Sequence, residues 1–229
     1  MGIGAGAVDA GSPPARLLDS EAVLQEGVAA LTRCDPVMAR IVAAGAVPPL
    51  RKRPPGYEGL AGIIVAQQLS TASAGAIWNR LKCLLPVLTP ESLAGAAEPD
   101  LKAAGLSAPK IRTLRAVAEA VAAGSLPLDG LHALPADEAH RLMVAVRGIG
   151  PWTADVYLLF CLGHPDAFPA GDLALQEAAR LADGLDARPS APALTARAEL
   201  WRPWRGVAAK VLWAYYRVAK ARDAAPVSS

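Results

Sequence analysis

The stretch Leu142-Met-Val-Ala-Val-Arg-Gly-Ile-Gly-Pro-Trp-Thr-Ala-Asp-Val-Tyr-Leu-Leu-Phe160 contains two helical patterns that meet at Gly148-Ile149-Gly150. The glycines permit a positive φ, so a very short turn can join the two helices. Pro151 suits the first position of the second helix, where its missing N–H costs no hydrogen bond. The sequence therefore predicts a tight helical hairpin at about 136–162.

The bend of such a hairpin has chemistry of its own. Backbone N–H groups and a helix N-terminus point outward together there, an arrangement that suits a phosphate of a nucleic-acid backbone. The inward carbonyls of Val144, Val146 and Ile149 can hold a monovalent cation, Na⁺ or K⁺. A bare Gly-x-Gly is more often only a turn between packed helices, and Gly2-Ile3-Gly4 repeats the tripeptide. What distinguishes the second copy is Asp172, which follows it after a Pro/Gly loop and precedes a new helical pattern.

Nearly every other segment from Ser20 onward also has the apolar spacing of a helix, with residues that favour a helix start and a helix end. Ser20, Thr89-Pro90 and Ser107 are helix starts, and Gly105 and Gly124 are helix ends. No stretch shows sustained period-2 alternation. The prediction is an all-α protein with a helical domain at 19–221 between two tails, residues 1–18 and 222–229, that are rich in Gly, Ala and Pro.

Composition excludes several classes of protein. In 229 residues, 53% of them hydrophobic, uninterrupted apolar runs such as Ile63 to Ala66 stay far below the roughly 18 residues of a membrane span. The N-terminus carries no targeting signal, so we expect a cytoplasmic protein. Cys34, Cys83 and Cys161 are too far apart for a CxxC-type metal site and are expected to be core thiols in a reducing compartment. The formal charge of +2 does not decide for or against a polyanionic partner.

At four places the chain resembles the helix-hairpin-helix DNA glycosylases, and within them the DNA-3-methyladenine glycosylase II branch. The blocks occur in the family's order and together span residues 55 to 220. They are Ile64-Val-Ala-Gln67-Gln68-Leu69-Ser70, Gly105-Leu-Ser-Ala-Pro-Lys110, Arg147-Gly-Ile-Gly-Pro-Trp152-Thr-Ala to Asp172, and Trp201-Arg-Pro-Trp204-Arg-Gly-Val-Ala-Ala-Lys-Val-Leu-Trp213. The resemblance implies two helical lobes with a DNA- and base-binding cleft between them.

The resemblance also implies roles for individual residues. Asp172 would be the catalytic carboxylate, and Trp152 and Trp213 would line the base pocket. The residues expected to contact DNA are Gln67, Gln68, Leu69, Ser70, Lys110, Gly148, Ile149, Gly150 and Thr153. Simpler structural roles stay open: Asp172 as a helix N-cap, Trp213 as a core residue, and Gln67 and Gln68 as solvated or capping residues.

Two departures from the wider family refine the expected activity. Relatives that also cleave the strand carry a lysine just after the hairpin glycines, where this chain has Trp152, so the resemblance implies a monofunctional enzyme. Relatives with an iron–sulfur cluster use four C-terminal cysteines, whereas no cysteine follows Cys161 here. No cofactor is expected apart from the structural cation at the hairpin.

The expected function is flipping and hydrolytic excision of alkylated purines from double-stranded DNA in base excision repair, by a monomer with no membrane partner. The preferred lesion stays open among 3-methyladenine, 7-methylguanine, hypoxanthine and ethenoadenine. Basic residues of the matching blocks, among them Arg202 and Arg205, are candidates for a DNA-binding groove. The alternatives are a non-catalytic DNA-binding module, in which Asp172 is dispensable, a glycosylase/lyase, which needs an amine that the sequence does not place, and a helical scaffold.

Overall fold

A computed structural model describes residues 16–223, and this part of the chain is all-α, as predicted. It contains short 3₁₀ turns at Leu131–Ala133 and Glu199–Trp201. Its helices are α1 (Glu21–Cys34), α2 (Pro36–Ala43), α3 (Gly56–Ala66), α4 (Thr71–Leu84), α5 (Pro90–Gly95), α6 (Glu98–Ala103), α7 (Ala108–Ala122), α8 (Ala136–Val144), α9 (Pro151–Phe160), α10 (Leu173–Asp183), α11 (Ala191–Ala198) and α12 (Arg205–Asp223).

Local signals set most helix ends. Ser20 and Thr89 each accept a backbone N–H with their side chain at the start of α1 and α5. Gly105 and Gly124 adopt the predicted left-handed conformation after α6 and α7. The sequence patterns did not place α2 and α11, although Asp35 and Ser190 cap them. Each has only 8 residues, so about two turns carry too little periodicity to stand out.

The helices pack as two lobes. Helices α3 to α9, from the middle of the chain, pack on one another, and α3 contacts α4, α7 and α9. The second lobe combines both ends of the described chain: α12 packs along α10 and also contacts α1 and α2. Each lobe buries its own apolar helix faces, with Leu60 and Leu114 fully buried in the first and Leu24 and Val211 in the second. A cleft between them is lined by side chains of both lobes.

The N-terminal boundary of the helical domain lies earlier than residue 19. Leu18 is buried in the core, and its N–H donates a hydrogen bond of 2.7 Å to the carbonyl oxygen of Gly163. Residues 1–15 and 224–229, which make up most of the two predicted tails, lie outside the described residues. The expectation of core thiols holds for Cys161, which is buried, but Cys34 and Cys83 are exposed.

The loop between α9 and α10 is held against the start of α12. Gly206 donates its N–H to the Pro165 carbonyl oxygen at 2.7 Å, and a Cβ at this position would lie 2.7 Å from that oxygen. Only glycine therefore permits this approach without displacing the loop. Arg205 donates two side-chain hydrogen bonds to Asp166, at 2.9 and 2.8 Å. These contacts fix the loop that ends at Asp172.

Within residues 16–223, none of the helices has the length and hydropathy needed to traverse a lipid bilayer.

Candidate active site

The predicted hairpin is present, with α8 and α9 joined by residues 145–150. Gly148 has φ +92°, and a Cβ there would lie 2.2 Å from Thr113 Oγ1, so both backbone conformation and space require glycine. Gly150 differs from the expectation: its φ is −87°, and a Cβ would meet nothing within 4 Å. The fold therefore does not need glycine at 150, and the open space beside it is free for another molecule.

Backbone groups at the bend are left without protein partners. Among the described residues, nothing accepts the N–H groups of Gly148, Gly150 and Trp152, whereas Ile149 donates its N–H to Val146 at 3.0 Å. The Ile149 side chain is buried. Of the three predicted cation ligands, the carbonyls of Val144 and Ile149 accept no hydrogen bond within residues 16–223. A carbonyl has two lone pairs, so the Val146 oxygen also keeps acceptor capacity.

Asp172 both caps a helix and joins the two lobes. Its Oδ1 accepts the N–H of Leu175 at 2.9 Å at the start of α10, so the N-cap role that the sequence left open is real. The same oxygen accepts the indole N–H of Trp213 at 3.2 Å, and Oδ2 accepts that of Trp152 at 2.9 Å. Three donors hold the half-buried carboxylate in one orientation, and it still borders the interlobe cavity.

The cavity has a volume of about 610 Å³, within the range of small-molecule sites. Asp172 is the one carboxylate among its described lining residues, and the entrance is strongly basic. The lining side chains are Pro49, Leu50, Arg51, Lys52, Arg53, Ile63, Ala66, Trp152, Val156, Phe160, Asp172, Lys210, Trp213 and Arg217. An apolar aromatic chamber with one fixed carboxylate and a cationic rim can hold a flat base and attract the phosphates that flank it.

The two tryptophans meet at this carboxylate although they are 61 positions apart in sequence. Trp213 is half-buried and stands beside Phe160, with ring centres 5.7 Å apart. The structure therefore places Trp213 in the pocket wall rather than wholly in the core. Phe160, Lys210 and Arg217 also line the pocket and were not among the predicted site residues, because their roles depend on which helices meet.

The predicted DNA-contacting loop lies between α3 and α4, near the same cleft. Gln68 and Leu69 are exposed, and Gln68 has φ +56°, an uncommon conformation for a residue other than glycine. Gln67 is half-buried and donates from Nε2 to Thr153 Oγ1 at 2.7 Å. Ser70 caps α4 by accepting the N–H of Ser73. Gln68 and Leu69 are thus the members that the fold leaves free for contact with DNA.

Lys110 and Thr153 support this loop from inside. Lys110 Nζ donates to the carbonyls of Val65 and Gln67 at 2.7 and 2.9 Å, and partial burial lowers the pKa of its ammonium group. Thr153 is 2% exposed. Lys110 can give a phosphate only its remaining N–H, so the observed role of both residues is to hold the end of α3 beside the hairpin.

The basic groove is smaller than the sequence suggested. Arg202 and Arg205 are engaged by the carboxylates of Asp137, Asp166 and Glu199. They therefore do not offer uncompensated charge to DNA. Arg51, Lys52 and Arg53, in contrast, are exposed and line the cavity entrance.

Because Gly150 borders open space, Gly150→Asp should weaken duplex binding without destabilising the fold. Aspartate is a favoured N-cap, but its carboxylate would repel a phosphate at the free N–H groups of the bend. We expect the Kd for damaged and undamaged duplex alike to rise about tenfold or more, equivalent to about 1.4 kcal/mol. Fluorescence anisotropy and thermal melting would measure the two effects.

Ser190→Asp is the matched control, because it changes the net charge equally at the exposed N-cap of α11. Gly148→Ala, by contrast, should lower stability by about 1–3 kcal/mol through its positive φ. Unchanged DNA affinity in Gly150→Asp would contradict a phosphate contact at the hairpin.

Comparison with known proteins supports a common origin for this arrangement. Residues 61–204 match the family model described as "HhH-GPD superfamily base excision DNA repair protein". DNA-3-methyladenine glycosylase 1 of Schizosaccharomyces pombe is 32% identical over 168 residues, which cover 72% of this chain and 73% of that protein.

Two solved structures share the fold. The crystal structure of a DNA-3-methyladenine glycosidase from Bacillus halodurans superposes with a TM-score of 0.77 at 28% identity, over 90% of this chain and 94% of that one. The 3-methyladenine DNA glycosylase of S. pombe in complex with abasic DNA gives a TM-score of 0.70 at 27% identity, over 89% of this chain and all of that one.

The family match contains α4 to α11 and every residue of the hairpin, together with Asp172 and Trp152. It extends over well more than half of the chain and agrees with the all-α, two-lobed architecture. The chain therefore belongs to the HhH-GPD superfamily of base excision DNA repair proteins.

Proposed function

We propose that this protein is a DNA glycosylase that removes alkylated purines from duplex DNA by hydrolysing the N-glycosidic bond. The observation that carries the proposal is Asp172, a carboxylate oriented by two indoles at the edge of a base-sized cavity. The similar S. pombe and B. halodurans proteins are named for 3-methyladenine, and one of them was solved with abasic DNA, which is the product of such a reaction.

The chemistry follows from the placement of charge. A damaged base must leave the stack to reach the cavity, at a cost of a few kcal/mol that poor pairing reduces. As the bond to the base breaks, the sugar acquires oxocarbenium character, which a fixed negative charge stabilises. Asp172 has this role and also orients the attacking water. Trp213 and Trp152 present aromatic surface to the base, and a cationic alkylpurine gains cation–π attraction there.

The proposed partner is double-stranded DNA containing a damaged base, bound by one copy of the chain. The hairpin N–H groups would hold a phosphate, and Gln68 and Leu69 would enter the gap left by the flipped nucleotide. The carbonyls of Val144, Val146 and Ile149 would hold a Na⁺ or K⁺ ion, which would stiffen the bend and add positive charge below the phosphate. The free acceptor capacity of these carbonyls fits such an ion.

The decisive test is a panel of duplexes that each carry one defined lesion, incubated with the protein, treated with alkali and sized on a gel. Excision of 3-methyladenine or 7-methylguanine, with undamaged duplex left intact, would support the proposal. Binding to these duplexes without release of any base would favour the non-catalytic module instead.

A borohydride experiment tests the proposed monofunctional character. We expect no covalent protein–DNA adduct and no strand cleavage before alkali, because Trp152 occupies the position of the family's Schiff-base lysine. A known glycosylase/lyase run in parallel would show that trapping works. An adduct would place the protein in the strand-cleaving class, and Lys210→Met would then show whether the cavity lysine forms it.

A further inference from the structure

Lys210 lies in the wall of the cavity without an acidic partner. Its side chain is buried, with the residue 5% exposed, and Nζ donates to the Arg51 carbonyl at 3.3 Å. Nζ also lies 4.3 Å from the centre of the Phe160 ring. Within residues 16–223, no Asp or Glu carboxylate forms an ion pair with it. Burying an ammonium group without a counter-charge is costly, and such lysines are found preferentially at functional sites.

Lys210 and Asp172 are connected through an aromatic wall formed by Phe160 and Trp213. Nζ lies 4.3 Å from the centre of the Phe160 ring, and the ring centres of Phe160 and Trp213 are 5.7 Å apart. The Trp213 indole in turn donates to Asp172 at 3.2 Å. All four residues line the same cavity, so a base whose sugar lies at the carboxylate shares that cavity with the ammonium group.

Cationic and neutral purine lesions differ in what they need in order to leave the sugar. A cationic alkylpurine leaves as a neutral molecule once it takes the electron pair of the glycosidic bond. A neutral purine lesion would leave as an anion unless a ring nitrogen receives a proton as the bond breaks. General-acid help of this kind typically accelerates a reaction by about 10²–10⁴-fold.

We propose that Lys210 is the proton donor that allows neutral purine lesions to leave from this pocket, an inference that rests on the proposed glycosylase function. The C1′–N9 bond breaks and its electron pair moves into the purine, while the ammonium group passes a proton to a ring nitrogen and becomes an amine. The oxygen of water bonds to C1′, and its proton goes to solvent by way of Asp172. Lys210 then regains a proton from solvent, so the net change is the addition of one water across the bond.

The electrostatics of the wall suit a proton donor. Burial, followed by the nearby charge of Arg51, lowers the pKa of the Lys210 ammonium to about 8. A pKa close to neutral pH keeps the group mostly protonated and makes it a stronger acid than an ordinary lysine. The other charged groups that line the same cavity are Arg51, Lys52, Arg53, Asp172 and Arg217. Excess positive charge on this wall favours loss of the proton.

The experiment compares single-turnover excision of ethenoadenine, which is neutral and has no acidic N–H, with excision of 7-methylguanine from otherwise identical duplexes. Lys210→Met removes a buried unpaired charge and keeps an apolar chain, so the variant should fold. We expect it to lose about 10²-fold or more on ethenoadenine near neutral pH and to keep its rate on 7-methylguanine. The wild-type rate on ethenoadenine should fall about tenfold per pH unit above pH about 8, a decline that Lys210→Met should lack.

Arg217→Met is the matched control, because it removes a positive charge from the same helix and the same cavity. The ratio of its two rates and the alkaline decline should match the wild type. Equal losses on both lesions in Lys210→Met, or a wild-type rate on ethenoadenine that stays flat above pH about 8, would overturn the inference. So would a borohydride adduct that Lys210→Met abolishes.

Two further results separate this inference from the proposed function. Wild-type protein that excises 7-methylguanine but no neutral lesion would overturn the role of Lys210 and leave the glycosylase proposal standing. Failure to excise any lesion of the panel would overturn both.

Discussion

Asp172→Asn is expected to lower the rate of base release by about 10²-fold or more, the scale typical of deleting one electrostatic stabiliser. Asparagine has nearly the same size and is an equally good N-cap, so the bond to the Leu175 N–H can persist. What the amide lacks is the negative charge that faces the developing oxocarbenium ion. Single-turnover excision of 7-methylguanine, with thermal melting and duplex binding measured in parallel, would isolate this effect.

Asp35→Asn supplies the matched control for Asp172→Asn. Asp35 also caps a helix and accepts an indole N–H, from Trp201 at 2.8 Å, but it does not line the cavity. We expect this variant to lose stability, because its carboxylate is buried against Arg197, and to keep its rate per folded molecule. Near-normal excision by Asp172→Asn would remove the catalytic assignment and leave the aspartate as a structural cap.

Arg205→Met is expected to lower the free energy of unfolding by about 3–5 kcal/mol, the cost of stranding one partner of a buried ion pair. The Arg205 side chain is 6% exposed and that of Asp166 10%, so water cannot compensate the lost contacts. Arg202 still reaches Asp166 at 2.9 Å and should reduce the loss toward the lower end of the range. Urea denaturation followed by circular dichroism would give the difference directly.

A surface pair provides the comparison for Arg205→Met. Arg16 contacts Glu26 at 3.0 Å, with side chains 68% and 54% exposed, and Arg16→Met should cost less than about 1 kcal/mol. If both variants lost equally little stability, the network around Asp166 would not be what fixes the loop before Asp172.

Much of this architecture could be predicted from sequence because helix signals are local. The hydroxyls of Ser20 and Thr89, the proline at 151 and the glycines at 105 and 124 each act within a few residues of their own backbone. Gly148 likewise adopts the positive φ that glycine permits in a short turn. The all-α class, the hairpin and the position of Asp172 at the start of a helix followed from such short-range rules.

The tertiary structure decided which of these features work together. Asp172 receives both indole N–H groups only because α9 and α12, from different lobes, meet at the start of α10. From the sequence, Arg202 and Arg205 were candidates for binding DNA, but in the folded protein carboxylates neutralise both of them. Lys210 was not among the predicted site residues. The charge and burial of a side chain depend on neighbours that are distant in sequence. Packing, and not the local pattern, therefore determined that carboxylates neutralise Arg205, whereas Lys210 lies beside the site with no carboxylate partner among the described residues.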